Sequence, residues 1–490
     1  MNGGESDYEM VDLDRPNGDG ADTDKAVTSG SAADDWQFMV GVAISVYQNS
    51  GGPNNQWERF EHEKKWFGRP TIAGGAVCGL AADFWDRYEE DIQRAADLNS
   101  NCFRLSLEWC RLEPEQGKFD VQAVQRYHDI LDCLIRHRMQ PVITLHHFVH
   151  PTWFEDLGAF TQAENTQHFV NFATKAFKEY GSKVHAWATF NEPNVMMFCG
   201  WIYGAFPPAK LANFSAGGKH LLNQLRAHTA VYHAIKALPG GDKARIGLVH
   251  NWLRYEPLSK DGFSAVYVKP LCSWMESVWA NQLIIEYFTT GKFHFPVPFG
   301  SAIHAQEDRV PPTDWIGINY YGRVAINWKC QPSCHPGETM TDMPYPLYAP
   351  GLYDGIKALS EIGKPIYITE TGIANEKEDL KPQFFETYFA QMERAVKDGY
   401  DLRGIMYWTL IDNFEWAEGW TIKFGLYAWA QGGSQERIMR KTTPMLADIY
   451  KGLPDKMRGH WDNRKMPTEQ GRAPPDSLMN SRHPLVEKNS

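Results

Sequence analysis

Eight short apolar runs alternate with longer helix-like stretches, and this alternation limits the possible folds more than any other feature. The runs are almost continuously apolar, as strands buried on both faces of a parallel sheet are. They cover residues 38–44, 102–107, 141–145, 184–190, 245–250, 314–320, 365–369 and 404–410. Amphipathic stretches such as 123–138 and 165–181 are typical of the connecting helices. We therefore predict an α/β fold: a single (β/α)8 TIM barrel with long loops at the C-terminal face of the strands.

A doubly wound open sheet is the alternative arrangement of strands that alternate with helices. That fold usually binds a dinucleotide through a glycine-rich turn after its first strand. No such fingerprint follows any of the eight runs. The chain has 490 residues, and one barrel can use most of that length.

Both ends of the chain differ in composition from the middle. Residues 1–35 contain ten acidic and two basic residues and few apolar ones, so we predict a disordered acidic tail. Residues 454–490 are polar and rich in proline, which indicates a polar C-terminal tail after a barrel at 36–453. The net charge of −11 argues against nucleic acid as a partner.

The N-terminal residues lack the apolar segment of a secretory signal, and no apolar run is long enough for a membrane span. We therefore expect a cytoplasmic protein. Several of the eight cysteines lie in apolar runs, where buried free thiols are typical. Cys330 and Cys334 could form a disulfide or a metal site, but no second matching pair accompanies them. The sequence thus predicts no metal site.

Two glutamates follow two of the apolar runs. Glu192 lies in TFNEPN after the fourth run, and Glu370 lies in ITETG at the end of the seventh. Barrel enzymes place their active sites at the carboxyl ends of the strands, so both carboxylates are expected at one rim. Such a pair suits cleavage of a glycosidic bond, in which one carboxyl group protonates the leaving oxygen and the other attacks or activates water.

Eight motifs in order then carry a resemblance to a known family. Besides TFNEPN and ITETG they are GVAISVYQ (41–48), FRLSLEWCRLEP (103–114), TLHHF (144–148), IGINYYG (316–322), YWTLIDNFEWAEGWTIKFGL (407–426) and RKTTPMLADIY (440–450). Together they resemble glycoside hydrolase family 1, the β-glucosidase family, from about residue 37 to 452. The resemblance implies a retaining, exo-acting β-glycosidase, with β-glucosides preferred and β-galactosides or β-fucosides also accepted.

The resemblance also implies roles for five catalytic residues. Glu370 would be the nucleophile and Glu192 the acid/base. Arg104 would lower the pKa of the nucleophile, and Tyr321 would donate a hydrogen bond to it. Asn319 shares the motif of Tyr321 and is carried over with it.

Seven further residues would bind the sugar. Asn191 would bond the 2-hydroxyl, Trp408 would lie beneath the ring, and Glu415 would repel a phosphate, which favours unphosphorylated glycosides. The substrate-binding set is Gln48, His147, Asn191, Trp408, Glu415, Trp416 and Phe424. No metal ion or organic cofactor is implied, because side chains supply the acid, the nucleophile and the cation.

This chain departs from the family pattern after its third run, where His147, Phe148 and Val149 replace the usual His-Trp-Asp. The apolar residues after Glu192 indicate a small-molecule β-glycoside with a hydrophobic or aryl aglycone. One alternative function is a transglycosidase that uses the same intermediate with a sugar or lipid acceptor. Another is a non-catalytic glycan-binding barrel, which the presence of both carboxylates disfavours.

Overall fold

Eight parallel strands close into one barrel, as predicted. The computed structural model describes residues 37–65, 68–298, 300–430 and 433–464. Each strand pairs with its neighbours in chain order, and the eighth pairs with the first. The strands are Met39–Ala43, Cys102–Ser106, Gln140–His146, Ala186–Asn191, Ile246–Asn251, Trp315–Asn319, Ile366–Thr371 and Leu402–Trp408. Each predicted apolar run therefore overlaps one barrel strand.

The major helices surround the barrel between successive strands. They are Phe84–Asp97, Val121–Arg136, Thr166–Tyr180, Phe214–Lys236, Ala265–Trp279, Asn281–Thr290, Pro350–Leu359, Lys381–Lys397 and Thr443–Asp462. Local capping explains where the second of them begins. The Asp120 carboxylate accepts hydrogen bonds from the N–H groups of Gln122 and Ala123, at 2.7 and 3.0 Å. Helices predicted at 123–138 and 165–181 are thus found within two residues of those bounds.

A small sheet extends the barrel beyond the carboxyl ends of its strands. Its strands Arg254–Pro257 and Arg323–Ile326 run parallel, and Pro332–Ser333 pairs antiparallel with the second of them. The first two follow the fifth and sixth barrel strands after only a few residues. This sheet therefore lies on the face of the barrel where both candidate carboxylates are expected.

The two predicted tails have different outcomes. The predicted acidic tail at 1–35 lies outside the described residues, as do residues 465–490. The predicted boundary at 453 falls within the final helix, which continues through Pro454 to Asp462. Leu453 and Met457 are buried on either side of this proline, so their packing outweighs its helix-breaking tendency. No helix in the described part of the chain is both long and apolar enough to cross a membrane.

Candidate active site

The turn after the fourth barrel strand presents two consecutive side chains to one point. Glu192 has φ 44° and ψ 61°, left-handed values that are uncommon for a residue with a side chain. Pro193 begins the next helix, where its fixed φ suits the first position. Asn319 donates to Glu192 Oε1 at 2.7 Å and to Asn191 Oδ1 at 3.1 Å. The strained turn therefore brings Asn191 and Glu192 to the same neighbour.

Glu370 is held by a cation and a phenol. Arg104 Nη1 donates to Glu370 Oε1, and the Tyr321 hydroxyl donates to Oε2 at 2.7 Å. Burial raises the pKa of Glu370, whereas Arg104 and Tyr321 both favour its charged form. Arg104 thus acts in the predicted direction, although burial is the larger effect. Of the two candidate catalytic carboxylates, Glu370 is the one in contact with a positive charge.

Glu192 is held only by neutral amides. Its Oε1 accepts from the side chains of Asn319 at 2.7 Å and Asn251 at 2.8 Å. Burial, reinforced by the nearby charge of Glu370, raises the pKa of Glu192 to about 8, and the two amides act against this shift. No described residue donates a hydrogen bond to its Oε2. That oxygen can therefore carry the proton of an acid catalyst.

Asn319 is itself fixed from behind. The Thr369 hydroxyl donates to Asn319 Oδ1 at 2.7 Å, which leaves the amide nitrogen to donate toward Asn191 and Glu192. A Cβ on Gly317 would lie 2.7 Å from the Thr369 hydroxyl oxygen, so only glycine fits beside this bond. The sixth and seventh strands thus set the direction of the Asn319 amide.

A chain of hydrogen bonds also fixes the tautomer of His147. Arg104 Nη2 can only donate, and it donates to Asn191 Oδ1 at 2.7 Å. The Asn191 nitrogen must then face His147 Nε2, which lies 3.2 Å away and accepts. Burial lowers the pKa of His147 well below its usual range, so the ring is neutral and its proton is on Nδ1. Nδ1 is buried and its N–H has no partner among the described residues.

Gln48 joins the first strand to the loop after the eighth. Its Nε2 donates to the Phe414 carbonyl at 3.0 Å and lies 3.4 Å from Glu415 Oε2. The Phe414 N–H in turn donates to the Gln48 carbonyl at 2.9 Å. Within the described residues, the buried Oε1 of Gln48 has no donor. Burial, together with Glu370 and Glu192, raises the pKa of Glu415 to about 8.

Aromatic rings line the same region. The rings of Trp408 and Trp416 both lie nearly parallel to the His147 ring, with centroids 5.8 Å and 6.1 Å from it. Phe424 packs edge-on against Tyr321 at 5.6 Å. All twelve residues in the two predicted sets are therefore linked into one site by hydrogen bonds or ring contacts. Their individual roles toward a sugar stay predictions.

Phe148, at the position where the family pattern has tryptophan, belongs to the wall behind Trp416. Its ring lies edge-on to Trp416 at 5.3 Å, and its carbonyl accepts from the Trp57 indole at 3.1 Å. Trp57 also packs against Trp416, at 4.7 Å. This wall is apolar toward Trp416, so Phe148 offers no donor to a sugar hydroxyl.

Two residues near the site are outside the predicted sets, and only one of them contacts a candidate catalytic carboxylate. Asn251, which contacts Glu192, is absent from the predicted set, although it follows the fifth apolar run directly. The rule that found Glu192, a polar residue at the carboxyl end of a strand, would also have found Asn251. His146 bonds His150 at 3.1 Å and packs among phenylalanines, which is the structural role expected of a core histidine.

No group of three or more histidine, cysteine, aspartate or glutamate side chains with a geometry for a metal ion occurs within the described residues. Cys330 and Cys334 are both free thiols, so they form no disulfide.

Comparison with known proteins gives consistent matches along the barrel. The model of glycosyl hydrolase family 1 matches residues 34–452. The chain is similar to beta-glucosidase A of Acetivibrio thermocellus, with 29% identity over 79% of this chain and 92% of that protein. It is 26% identical to the beta-galactosidase of Pyrococcus woesei, over 80% of this chain and 92% of that one.

Solved structures agree with the sequence matches. The beta-glycosidase from Pyrococcus horikoshii superposes with a TM-score of 0.73 at 30% identity, covering 86% of this chain and 97% of that one. The family match spans the whole barrel, and each of these relatives is matched along most of its own length. This chain therefore belongs to glycosyl hydrolase family 1 and is a glycoside hydrolase of that family.

Proposed function

We propose that the protein is a retaining, exo-acting β-glycosidase that prefers β-glucosides and also accepts β-galactosides and β-fucosides. One observation carries this proposal: the two carboxylates have partners of different charge. Glu370 contacts a guanidinium and a phenol, whereas Glu192 contacts two amides. A retaining glycosidase needs one ionised and one protonated carboxyl group, and this difference supplies both.

In the first step, a Glu370 oxygen attacks the anomeric carbon while the bond to the aglycone oxygen breaks. The electron pair of that bond goes to the leaving oxygen, which takes the proton of Glu192. Asn191 would bond the 2-hydroxyl, and this role is supported by Arg104 and Asn319, which hold its amide in one orientation. That contact strengthens as the anomeric centre acquires positive charge.

In the second step, Glu370 is part of an ester and carries no charge. The repulsion that raised the pKa of Glu192 is then removed, so the Glu192 carboxylate can accept a proton from water. Water attacks the anomeric carbon from the side that the aglycone left, and the ester bond to Glu370 breaks. Two inversions give net retention, as expected for carboxylates about 5–5.5 Å apart.

Exo action is supported by the loop that closes one end of the site. The paired hydrogen bonds between Gln48 and Phe414 hold this loop against the first strand. Trp416 in that loop is buried against Tyr47 and Trp57. A site closed at this end accepts one terminal sugar rather than the interior of a polysaccharide.

The acids of the site support a neutral glycone. Glu192 and Glu370 are buried and Glu415 is partly buried. Glu370 raises the pKa of both other acids, and Glu192 also raises that of Glu415. Among the described residues, the guanidinium of Arg104 is the cation that contacts this group of acids, at Glu370. A sugar phosphate would bring further negative charge into this group. We infer that 6-phospho sugars are poor substrates.

The aglycone is expected to be apolar or aromatic, although fewer residues support this than the sequence indicated. Met196 and Met197 in the run after Glu192 are fully buried and pack into the core. Phe198 and Cys199 remain partly exposed, and the Phe198 ring packs against Trp279 at 5.1 Å. Phe198 is therefore the ring of this run that favours a hydrophobic aglycone or acceptor, and Trp279, from helix Ala265–Trp279, supports it.

The test is hydrolysis of a panel of chromogenic β-glycosides: glucoside, galactoside, fucoside, mannoside and 6-phosphoglucoside. We expect the glucoside to be the best substrate and Glu370→Gln to abolish turnover. Glu378→Gln is the matched control, because Glu378 is a buried carboxylate that instead bonds Thr442. Turnover that survives in Glu370→Gln, or a folded wild type that hydrolyses no sugar, would contradict the proposal. Product analysis with an added alcohol or glycolipid acceptor distinguishes hydrolysis from transglycosylation.

A further inference from the structure

Four apolar side chains form an exposed cluster on two adjacent turns, which we call the aromatic tip. One turn leads into helix Ala265–Trp279 and includes the first turn of that helix, and the other is at 327–330. Phe263 is 87% exposed, Val266 72%, Tyr267 39% and Trp328 64%. Isolated exposed apolar residues are common, but four on two touching turns are not. These side chains protrude from the surface, so they have not been buried by folding of the described part of the chain.

Hydrogen bonds hold the two turns of the aromatic tip in one shape. The Tyr267 hydroxyl donates to the Trp328 carbonyl at 2.5 Å and so joins the turns. Asn327 Oδ1 accepts from the N–H groups of Lys329 at 2.8 Å and Gln331 at 3.2 Å. An asparagine that bonds the backbone two residues ahead is a standard way to order a turn. Exposure of Trp328 is therefore a feature of an ordered turn.

The aromatic tip lies on the same face of the barrel as the active site. Its two turns follow strands Arg254–Pro257 and Arg323–Ile326, which pair in parallel and end together at Pro257 and Ile326. These strands continue outward from the carboxyl ends of the fifth and sixth barrel strands. Asn251 and Asn319, which hold Glu192, are the last residues of those two barrel strands.

The two segments that carry the aromatic tip have a net charge opposite in sign to that of the whole chain. Segments 258–270 and 327–333 contain Lys260, Lys269 and Lys329 and only one acidic residue, Asp261, in a chain of net charge −11. The Lys329 ammonium lies 5.0 Å from the Trp328 ring, so a cation and an aromatic ring share one turn. Trp and Tyr side chains beside lysines are typical of proteins at the surface of an anionic bilayer.

We propose that the aromatic tip docks the protein onto anionic lipid bilayers and turns the active-site face toward the membrane. Phe263 and Trp328 would enter the boundary between headgroups and acyl chains, while the lysines pair with lipid phosphates. Protein–protein interfaces are depleted in lysine, so the three lysines beside these rings favour a lipid surface over a protein partner. The docking rests on the proposed function only in its consequence: β-glycosides with lipid aglycones become substrates at the membrane surface.

The first test is co-sedimentation of the full-length protein with vesicles of phosphatidylcholine alone or with about one third phosphatidylserine. We expect binding to the anionic vesicles, weaker binding without phosphatidylserine, and release at high salt. Phe263→Ser with Trp328→Ser is expected to lower the binding at least tenfold. Lys269→Glu with Lys329→Glu is expected to lower it to a similar extent.

Matched controls use the opposite end of the barrel. Val310 is 51% exposed and precedes the sixth barrel strand, so Val310→Ser removes an exposed apolar side chain there. Lys243 and Lys364 precede the fifth and seventh strands, so Lys243→Glu with Lys364→Glu changes the net charge equally. Wild type that fails to bind anionic vesicles, or controls that lose binding as the tip variants do, would overturn the proposal.

Hydrolysis of a soluble chromogenic β-glucoside separates this proposal from the proposed function. We expect every tip variant to hydrolyse it at the wild-type rate, because the hydrogen bonds and ring contacts described for the aromatic tip involve none of the twelve site residues. Hydrolysis without vesicle binding would refute the docking alone. Vesicle binding by a protein that hydrolyses no glycoside would refute the enzymatic proposal alone.

Discussion

Replacement of Asn251 by leucine is the perturbation that most directly tests the role of Glu192. Glu192 Oε1 accepts two hydrogen bonds, from Asn319 at 2.7 Å and from Asn251 at 2.8 Å. Leucine has nearly the shape of asparagine but no N–H, so Asn251→Leu removes one donor. The bonds that the Asn251 carbonyl accepts from Asn194 and Trp279 belong to the backbone and are kept.

The expected size of the effect follows from the charge of the acceptor. A hydrogen bond to a charged group contributes about 1.5–3 kcal/mol, roughly twice that of a neutral bond, so Asn251 favours the carboxylate over the acid by about 1–1.5 kcal/mol. One pKa unit corresponds to about 1.4 kcal/mol. Both amides lower the pKa of Glu192, which is about 8 in the wild type. Its pKa should therefore rise by about one unit in Asn251→Leu.

The assay is kcat/KM against pH for phenyl β-glucoside, a substrate whose poor leaving group needs the acid. Since Glu192 acts protonated, activity is lost as the pH rises through its pKa, near 8 in the wild type and near 9 in Asn251→Leu. A dinitrophenyl β-glucoside needs less protonation, so its alkaline limb should move less. Asn281→Leu is the control, because this buried amide donates to the Leu253 carbonyl at 2.8 Å. An alkaline limb that stays in place or moves down in Asn251→Leu, or moves equally in Asn281→Leu, would refute the reasoning.

Three further outcomes are expected. Tyr321→Phe removes the 2.7 Å donor to Glu370 and should lower kcat/KM by about 10–100-fold with little change in melting temperature, measured by kinetics and calorimetry. Arg437→Met leaves the carboxylate of Asp91 buried without its 2.7 Å partner and should cost about 3–5 kcal/mol of unfolding free energy in urea. The control Arg59→Met breaks an ion pair whose carboxylate is 60% exposed and should cost less than about 1 kcal/mol. Dialysis against EDTA should leave hydrolysis unchanged, because side chains supply the acid, the nucleophile and the cation; a loss restored by a metal ion would contradict this.

The strands of the barrel were predictable because their pattern is local. Each run is apolar on both faces, and eight such runs with helices between them leave few arrangements that bury all of them. The end of the final helix was not predictable from local pattern. Pro454 reads as a stop, and only the burial of Leu453 and Met457 in the folded protein explains why the helix continues.

The residues of the site were more predictable than the states of their side chains. Strand ends and motifs identified Glu192, Glu370 and Arg104, but the pKa of each carboxyl group depends on burial as well as on its partners. Which nitrogen of His147 carries the proton depends on two successive hydrogen bonds, from Arg104 to Asn191 and from Asn191 to His147. Such series of hydrogen bonds join residues that are far apart in sequence, so no single motif contains all of their members.

In the proposed mechanism, the different protonation states of the two glutamates are therefore caused by their neighbours. Glu192 and Glu370 have the same side chain, and both are almost fully buried. If burial acted alone, both would tend to be protonated and the site would lack a nucleophile. Arg104 favours the charged form of Glu370, because its guanidinium contacts that carboxylate directly. On the side of Glu192, the guanidinium contacts the preceding residue, Asn191. In the proposed mechanism, one cation placed on one side of a buried pair makes one carboxyl group the nucleophile and leaves the proton on the other.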